Sequence, residues 1–136
     1  MVQSNQKRAR ILIAEDNPPI QQLLRHLLSP RFDVELVDTI DGALRVAARQ
    51  HFDLFLLDIN LGEARTGVEL LDLLRRMPSH DATPAVACTA YAGQEYREQF
   101  LANGFNGYVD KPFSRPILLG VIEQALAGLH HRGQAA

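Results

Sequence analysis

Short apolar runs alternate along the chain with longer segments in which apolar residues recur every three or four positions. The short runs predict buried β-strands, and the periodic segments predict amphipathic α-helices packed against them. The predicted strands cover residues 10–14, 33–37, 53–57, 84–88 and 107–110. A helical segment follows each run, so the pattern predicts five successive β-α units.

Capping residues and helix breakers set the limits of the predicted helices. Asn17 followed by Pro18 is typical of an N-cap and a first helical residue, and Pro30 ends this helix. Thr39 is the predicted N-cap of the second helix. The first helix is expected to bury Ile20, Leu23, Leu24, Leu27 and Leu28. The least apolar helix is the fourth, at 93–103, with the expected anchors Tyr96, Phe100 and Leu101.

Five β-α units favour an open α/β sandwich, because a closed barrel of this kind needs eight. We therefore predict a flavodoxin-like (βα)5 fold with three layers, in which helices cover both faces of a parallel sheet. The predicted strand order is 2-1-3-4-5, since the polar Glu35 within the second strand suits an edge. This order creates a switch point between strands one and three, where ligands bind in such sheets.

Composition indicates one soluble domain, with 46% apolar residues, 22% charged residues, a net charge of -2 and a pI of about 6.2. We expect the domain to cover 10–129, with a loose segment at 1–9, a short tail at 130–136 and no space for an output domain.

The charge predicts no direct nucleic-acid binding, and no apolar run is long enough for membrane insertion. Without a secretory signal, a cytoplasmic stand-alone protein is expected. The single cysteine, Cys88, is a predicted core residue.

Acidic residues follow two predicted strands, Glu15 and Asp16 after the first and Asp58 after the third. The carboxyl ends of parallel strands share one edge, so these carboxylates should repel one another unless a cation is bound. Mg²⁺, or Mn²⁺ in its place, prefers such oxygen ligands. The predicted direct ligands are Asp16, Asp58 and the backbone carbonyl of Asn60, and Glu15 is expected to bind through water. An isolated acidic pair can instead only solvate a strand end and charge a helix N-terminus.

Asp58 is also the candidate nucleophile, because carboxylates accept phosphoryl groups as acyl phosphates. Lys111, after the fifth strand, is expected to pair with Asp58 at rest and with a phosphoryl oxygen after transfer. Thr89, after the fourth strand, can donate its hydroxyl to a second phosphoryl oxygen. Taken singly, Lys111 can be a surface lysine and Thr89 an ordinary strand end, but their combination with the acids favours a phosphoryl site.

Together these residues resemble the receiver domain of the response-regulator family of two-component signalling, over residues 11–129. The family pattern is an acidic pair after strand one, an aspartate after strand three, threonine or serine after strand four, and lysine-proline after strand five. This chain meets it with Glu15–Asp16, Asp58, Thr89–Ala90 and Lys111–Pro112. The aromatic residue three positions before the lysine is Tyr108.

The resemblance implies that Asp58 accepts a phosphoryl group from a histidine kinase or a histidine phosphotransfer protein in a Mg²⁺-dependent reaction. It implies that Thr89, beside Ala90, moves toward the phosphoryl group and that Tyr108 turns inward. The bond before Pro112 is expected to be cis. A downstream protein target is expected on the face formed by helix four, strand five and helix five, and a homodimer through this face stays open. The resemblance therefore implies that the protein has no enzymatic activity other than self-catalysed phosphotransfer and autodephosphorylation.

Two features depart from the family pattern. Leu61–Gly62 stands where many members have Met-Pro, and the stretch from Asp58 to Gly67 is one residue longer than the commonest form. Both departures fall in the loop after the phosphoacceptor. Asn60 and Tyr91 flank the site, and the resemblance implies that they tune dephosphorylation.

Four alternative functions share parts of the pattern. A flavin carrier needs a hydroxyl-rich phosphate loop after strand one, where Glu15 and Asp16 would repel phosphate. A Toprim-like nuclease or a haloacid-dehalogenase-type phosphatase needs an aspartate in place of Asn60. An unphosphorylated receiver-like scaffold needs no site chemistry, whereas the acid, hydroxyl and lysine set is complete. The five histidines suggest no metal site and are expected to be solvated or partly packed.

Overall fold

Five strands and five α-helices alternate in the structure, a computed structural model that describes residues 8–90 and 94–128. The strands are β1 (Arg10–Ala14), β2 (Asp33–Val37), β3 (Leu54–Asp58), β4 (Ala85–Thr89) and β5 (Gly107–Asp110). The helices are α1 (Pro18–Leu28), α2 (Ile40–Arg49), α3 (Gly67–Arg75), α4 (Gln94–Ala102) and α5 (Arg115–Leu126). A 3-10 turn, Pro78–His80, lies between α3 and β4.

The sheet is parallel, with the predicted order β2-β1-β3-β4-β5. Its register aligns the ends of the central strands: Asp58 is paired with Cys88, and Thr89 with Asp110. The carboxyl ends of β3, β4 and β5 therefore lie side by side. The residues that follow β1 reach the same edge, next to β3.

Alternating strand residues point to opposite faces of the sheet, which gives two apolar cores. In β3, Phe55 and Leu57 enter the core beneath α2, α3 and α4, whereas Leu54 and Leu56 enter the core beneath α1 and α5. Burial of each such side chain contributes about 1.5–3 kcal/mol. Every residue of β3 and of β4 is buried, so Asp58 is held on one of the two fully buried strands of the sheet.

Two leucines predicted to be buried are exposed. Leu23 of α1 is 43% exposed and Leu101 of α4 is 44% exposed. Successive helical residues are rotated by about 100°, so Leu23 lies beside the buried residue Leu24 and faces away from the sheet. Leu101 lies beside Phe100 in the same way, and Phe100, which is buried, anchors α4.

His80 is fully buried, deeper than the environment predicted for the histidines. Its Nε2 lies 3.2 Å from the Ala47 carbonyl oxygen, and its Nδ1 lies 3.2 Å from Thr83 Oγ1. Because a carbonyl oxygen only accepts, Nε2 donates, and in the neutral ring Nδ1 accepts from the Thr83 hydroxyl. His80 therefore joins α2 to the segment before β4, which is a structural role.

The predicted terminal segments fall largely outside the described residues. Within the first of them, the Ala9 carbonyl accepts a hydrogen bond from the Asp33 amide at 3.0 Å. Helix α4 lies inside its predicted limits of 93–103. In the described part of the chain, no helix combines the length and apolarity needed to cross a membrane.

Candidate functional site

Asp58 ends β3 and is held in place by the backbone around it. Its Oδ1 accepts a hydrogen bond from the Asn60 amide at 3.2 Å. Helix α3 begins directly against it, and a Cβ on Gly67 would lie 2.3 Å from the Asp58 carbonyl oxygen. Only glycine permits so close an approach, so Gly67 allows α3 to pack on the end of β3.

Lys111 joins the residues at the ends of three strands. It follows β5, and its Nζ lies 3.0 Å from Asp58 Oδ2 and 2.9 Å from Glu15 Oε1. Its amide donates to the Thr89 carbonyl at 2.8 Å, and the Lys111–Pro112 peptide bond is cis. The contact with Asp58 is the resting pair predicted from the sequence, whereas the contact with Glu15 was not predicted.

Glu15 is 1% exposed, which no feature of the acidic pair indicated. Its Oε2 accepts from the Asn17 amide at 3.1 Å, while its Oε1 has the ionic contact with Lys111 but no well-oriented hydrogen bond. Burial raises the pKa of Glu15, and the contacts with Lys111 and Asn17 only partly offset this rise. Burial would lower the pKa of Lys111, but its contacts with Glu15 and Asp58 outweigh burial and raise it.

The carboxylates of Glu15, Asp16 and Asp58 suit a divalent cation. Each offers an oxygen within 4.8 Å of the others, with Asp16 exposed and the other two buried. Three carboxylates face one ammonium, and the buried Glu15 Oε1 lacks a well-oriented donor. The site therefore carries excess negative charge that a cation would neutralise. A set of oxygen donors open to solvent on one side fits Mg²⁺, which retains several waters.

A cavity of about 360 Å³ lies beside these acids. It is lined by the predicted site residues Glu15, Asp16, Asp58, Asn60, Thr89, Ala90 and Lys111. Thr89 is 1% exposed. The lining also includes Ile20 and Gly62, which the sequence did not assign to the site. The glycine at position 62, two residues after Asn60, is a sequence signal that the loop backbone can approach the site closely. Nothing in the sequence distinguishes Ile20 from the other apolar residues of the first helix.

Two predicted residues lie away from the cavity lining. Tyr108 is partly buried against the core beneath α4, and its ring centre lies 6.0 Å from that of Phe100. Pro112 is exposed behind Lys111. Tyr91, predicted to tune dephosphorylation, falls outside the described residues. The other tuning residue, Asn60, uses its side-chain oxygen to accept from the Gly62 amide at 3.1 Å.

A larger open cleft of about 1070 Å³ lies at the opposite edge of the sheet. Both of its carboxylates already have partners, since Arg8 Nε lies 3.7 Å from Asp33 Oδ1 and His51 Nε2 lies 3.3 Å from Asp53 Oδ1. Among the described residues, the group of three potential metal ligands lies at the carboxyl edge and not in this cleft. The smaller cavity is therefore the candidate site.

Fold and site together define a flavodoxin-like α/β domain with an acidic cavity that contains a lysine. The model of the response regulator receiver domain matches residues 11–123, so the chain belongs to this family. Receiver domains are signalling domains of two-component systems and not enzymes in the usual sense.

Individual proteins show the same relationship. A 14.6 kDa protein in the sodA1 3′ region of Leptolyngbya boryana is 33% identical over 115 residues, covering 84% of this chain and 87% of that protein. Vibrio cholerae chemotaxis protein CheY4 superposes with a TM-score of 0.80 at 27% identity, covering 87% of this chain and 98% of that one. The receiver domain of the sensor histidine kinase PA1611 from Pseudomonas aeruginosa, solved with magnesium in its active-site cleft, gives a TM-score of 0.78 at 33% identity, covering 88% and 98%.

Other curated relatives are longer, and the chain spans between 7% and 33% of their length. Some of them are named as histidine kinases, and one, from Pseudomonas aeruginosa, is named as a transcriptional activator. Across these proteins, the shared part is the receiver domain.

Proposed function

We propose that the protein is a phosphoacceptor response regulator in which Asp58 receives a phosphoryl group from the phosphohistidine of a histidine kinase or a histidine phosphotransfer protein. The main observation that supports the proposal is that Lys111 Nζ lies 3.0 Å from Asp58 Oδ2 and 2.9 Å from Glu15 Oε1. This geometry supports the proposal because the Asp58 carboxylate, the Lys111 ammonium and a second acid share one cavity with Thr89. The supply of phosphohistidine by an ATP-dependent kinase would place the protein in the cytoplasm.

In the transfer step, a carboxylate oxygen of Asp58 bonds to phosphorus as the phosphorus–nitrogen bond of the donor breaks. The electron pair of that bond returns to the imidazole nitrogen, which takes up a proton from solvent. Lys111 then pairs with one phosphoryl oxygen, and the hydroxyl of Thr89 donates to another beside Ala90. Such positioning and charge neutralisation are the main ways in which a protein assists phosphoryl transfer. Asn60 and Tyr91 would tune the later hydrolysis.

Asp16, Asp58 and the Asn60 carbonyl would hold Mg²⁺ or Mn²⁺ directly, and Glu15 would hold it through water. The bound cation supplies neutralising charge to the phosphoryl oxygens. Support comes from the all-oxygen donor set and from the magnesium ion in the similar PA1611 receiver domain.

The switch would act through Thr89 and Tyr108. Phosphorylation adds charge and acceptor oxygens that Thr89 and Lys111 contact in the phosphorylated state alone, and such differential contacts can shift a two-state surface. The surface formed by α4, β5 and α5 exposes Leu101 at 44% and Ile117 at 61%. These apolar side chains suit a downstream protein target, or a second copy of the chain.

Intact-mass measurement after treatment with acetyl phosphate or phosphoramidate tests the proposal, with and without Mg²⁺. We expect one phosphoryl adduct on the wild type with Mg²⁺, little without Mg²⁺, and none on Asp58→Asn. A wild type that never gains the adduct would instead support a receiver-like scaffold. An adduct retained by Asp58→Asn would place the acceptor elsewhere.

A further inference from the structure

The segment 59–66, here called the β3-α3 loop, is attached to the protein on both sides of Gly62. Before Gly62, the side chain of Leu61 is 3% exposed and packs in the core beneath α2 and α3. After Gly62, the Glu63 carboxylate accepts a hydrogen bond from the Ile40 amide at 2.9 Å. Ile40 is the first residue of α2, so Glu63 ties the loop to a helix N-terminus.

The hydrogen bond from the Ile40 amide to the Glu63 carboxylate is electrostatically favourable. The first amides of a helix lack acceptors within the helix, and the helix dipole places partial positive charge there. A carboxylate acceptor makes the hydrogen bond charge-assisted. The Glu63 side chain is 26% exposed, whereas the neighbouring pair between Arg65 and Asp41 is 40% and 71% exposed. Exposed ion pairs contribute little, so Glu63 is the stronger attachment.

Between these attachments, the loop backbone closes against an acid of the metal site. Gly62 has a φ of +73°, and a Cβ there would lie 3.0 Å from Asp16 Oδ2. The Gly62 amide donates to Asn60 Oδ1 at 3.1 Å, and the Asn60 amide donates to Asp58 Oδ1 at 3.2 Å. The loop therefore positions Asn60 and limits the space available to Asp16.

We propose that Glu63 is a positioning residue for the divalent cation, because it fixes the β3-α3 loop on α2 and so keeps Asn60 and Gly62 against Asp58 and Asp16. This inference rests on the proposed function, since it concerns the same cation site. It assigns a role to the loop in which the sequence departs from the family pattern at Leu61–Gly62. Glu63 is not among the described residues that line the cavity, and it acts through the loop backbone.

The same helix N-terminus supplies a matched control. Thr39 Oγ1 accepts from the Gly42 amide at 2.9 Å and so caps α2 through a hydrogen bond in which the loop takes no part. Loss of either cap should destabilise α2 to a similar degree. If Glu63 were only a cap, Glu63→Ala and Thr39→Ala would behave alike toward the cation.

Isothermal titration of each folded protein with MgCl₂, alongside thermal unfolding without the ion, tests the inference. We expect Glu63→Ala to weaken Mg²⁺ binding by about 3- to 10-fold, somewhat less than the loss of a direct partner of a metal ligand. Glu63→Gln keeps an acceptor oxygen and should stay within about 2-fold of the wild type, as should Thr39→Ala despite its lower Tm. Glu63→Asp, too short to reach Ile40, should resemble Glu63→Ala and replaces it if that variant does not fold.

Unchanged Mg²⁺ affinity in both Glu63→Ala and Glu63→Asp, or equal weakening in Thr39→Ala, would overturn the inference. If the wild type binds Mg²⁺ and is phosphorylated, and the Glu63 variants bind Mg²⁺ with the same affinity, then only the inference about Glu63 is refuted. A wild type that neither binds Mg²⁺ nor gains a phosphoryl adduct would refute the inference and the proposed function together.

Discussion

Single residues at the site combine burial with unbalanced charge. Glu15 and Asp58 are buried and share the Lys111 ammonium, while Asp16 adds a third carboxylate at the exposed mouth. Asp16 is therefore the acid whose charge can be removed without breaking the Lys111 contacts. Without a cation, its charge repels two neighbours, and with a cation it becomes a ligand.

Without Mg²⁺, we expect Asp16→Asn to be more stable than the wild type, because the substitution removes the repulsion between Asp16 and the two other carboxylates. The gain should be only about 0.5–1 kcal/mol, because solvent screens an exposed charge. With Mg²⁺ at 100 times its Kd, the wild type should gain about 2.7 kcal/mol and the variant much less. Urea unfolding with and without MgCl₂ measures both effects. Asp81→Asn, an exposed acid outside the cavity, is the control. A variant that is less stable without Mg²⁺, or equally stabilised by it, would contradict this account.

Cys88 lies in the core beside the site, and burial raises the pKa of its thiol to about 12. The thiolate is the reactive form, so labelling of the native protein at pH 8 should require unfolding and be at least about 1,000-fold slower than in denaturant. Dithionitrobenzoate absorbance measures these rates, with Cys88→Ala as the blank. Rapid labelling of the native protein would show that the thiol is accessible.

The same pKa shift predicts how stability depends on pH. The folded pKa lies above the ordinary value of 9.0, so the stabilisation from the buried neutral thiol is complete below pH 9 and is lost as pH rises toward 12. The stability difference between the wild type and Cys88→Ala should therefore shrink between pH 8 and 11. Urea unfolding at several pH values measures it, and a constant difference would contradict the assignment.

Among the elements, the start of α3 determines where Asp58 sits. A methyl group on Gly67 would lie 2.3 Å from the Asp58 carbonyl oxygen, so the backbone of β3 or α3 would have to move. We expect Gly67→Ala to destabilise the protein by about 1–3 kcal/mol and to weaken Mg²⁺ binding. The control is Gly120→Ala in α5, where an added methyl group would meet no described atom within 4 Å apart from the adjoining helix backbone, and the variant should gain about 0.4–1 kcal/mol. Urea unfolding distinguishes the two, and equal effects would refute the close-packing explanation.

The elements also show what the sequence could predict. Strand positions, strand order and the N-caps Asn17 and Thr39 followed from local patterns, because apolar periodicity and capping depend on neighbouring residues. The burial of Glu15, the exposure of Leu23 and the tie between Glu63 and α2 did not, because each depends on an element far away in sequence. The site residues could be named from the strand ends, but the sharing of Lys111 between two acids needed coordinates.

For the whole molecule, the question is how a change at Asp58 reaches the surface formed by α4, β5 and α5. Helix α4 packs mainly through Phe100, whose ring centre lies 6.1 Å from that of Phe105 and 6.0 Å from that of Tyr108. Tyr108 lies on β5 and pairs in register with Ala87 of β4, two residues before Thr89, which pairs with Asp110. A small aromatic cluster therefore connects the site edge to a helix with few buried anchors, which suits local rearrangement.

Amide hydrogen exchange of the phosphorylated protein tests this connection. We expect exchange in α4 and β5 to change on phosphorylation, while α1 and α2 stay unchanged, because the rearrangement should follow the contacts of Thr89. Thr89→Ala should still gain the phosphoryl adduct, since Asp58 and Lys111 remain, yet it should lose most of the exchange difference in α4. Tyr108→Phe, which keeps the ring packed on Phe100, is the matched control for Tyr108→Ala. If Thr89→Ala and Tyr108→Ala both kept the full difference in α4, the signal would have to leave the site by another route, such as the β3-α3 loop and α2.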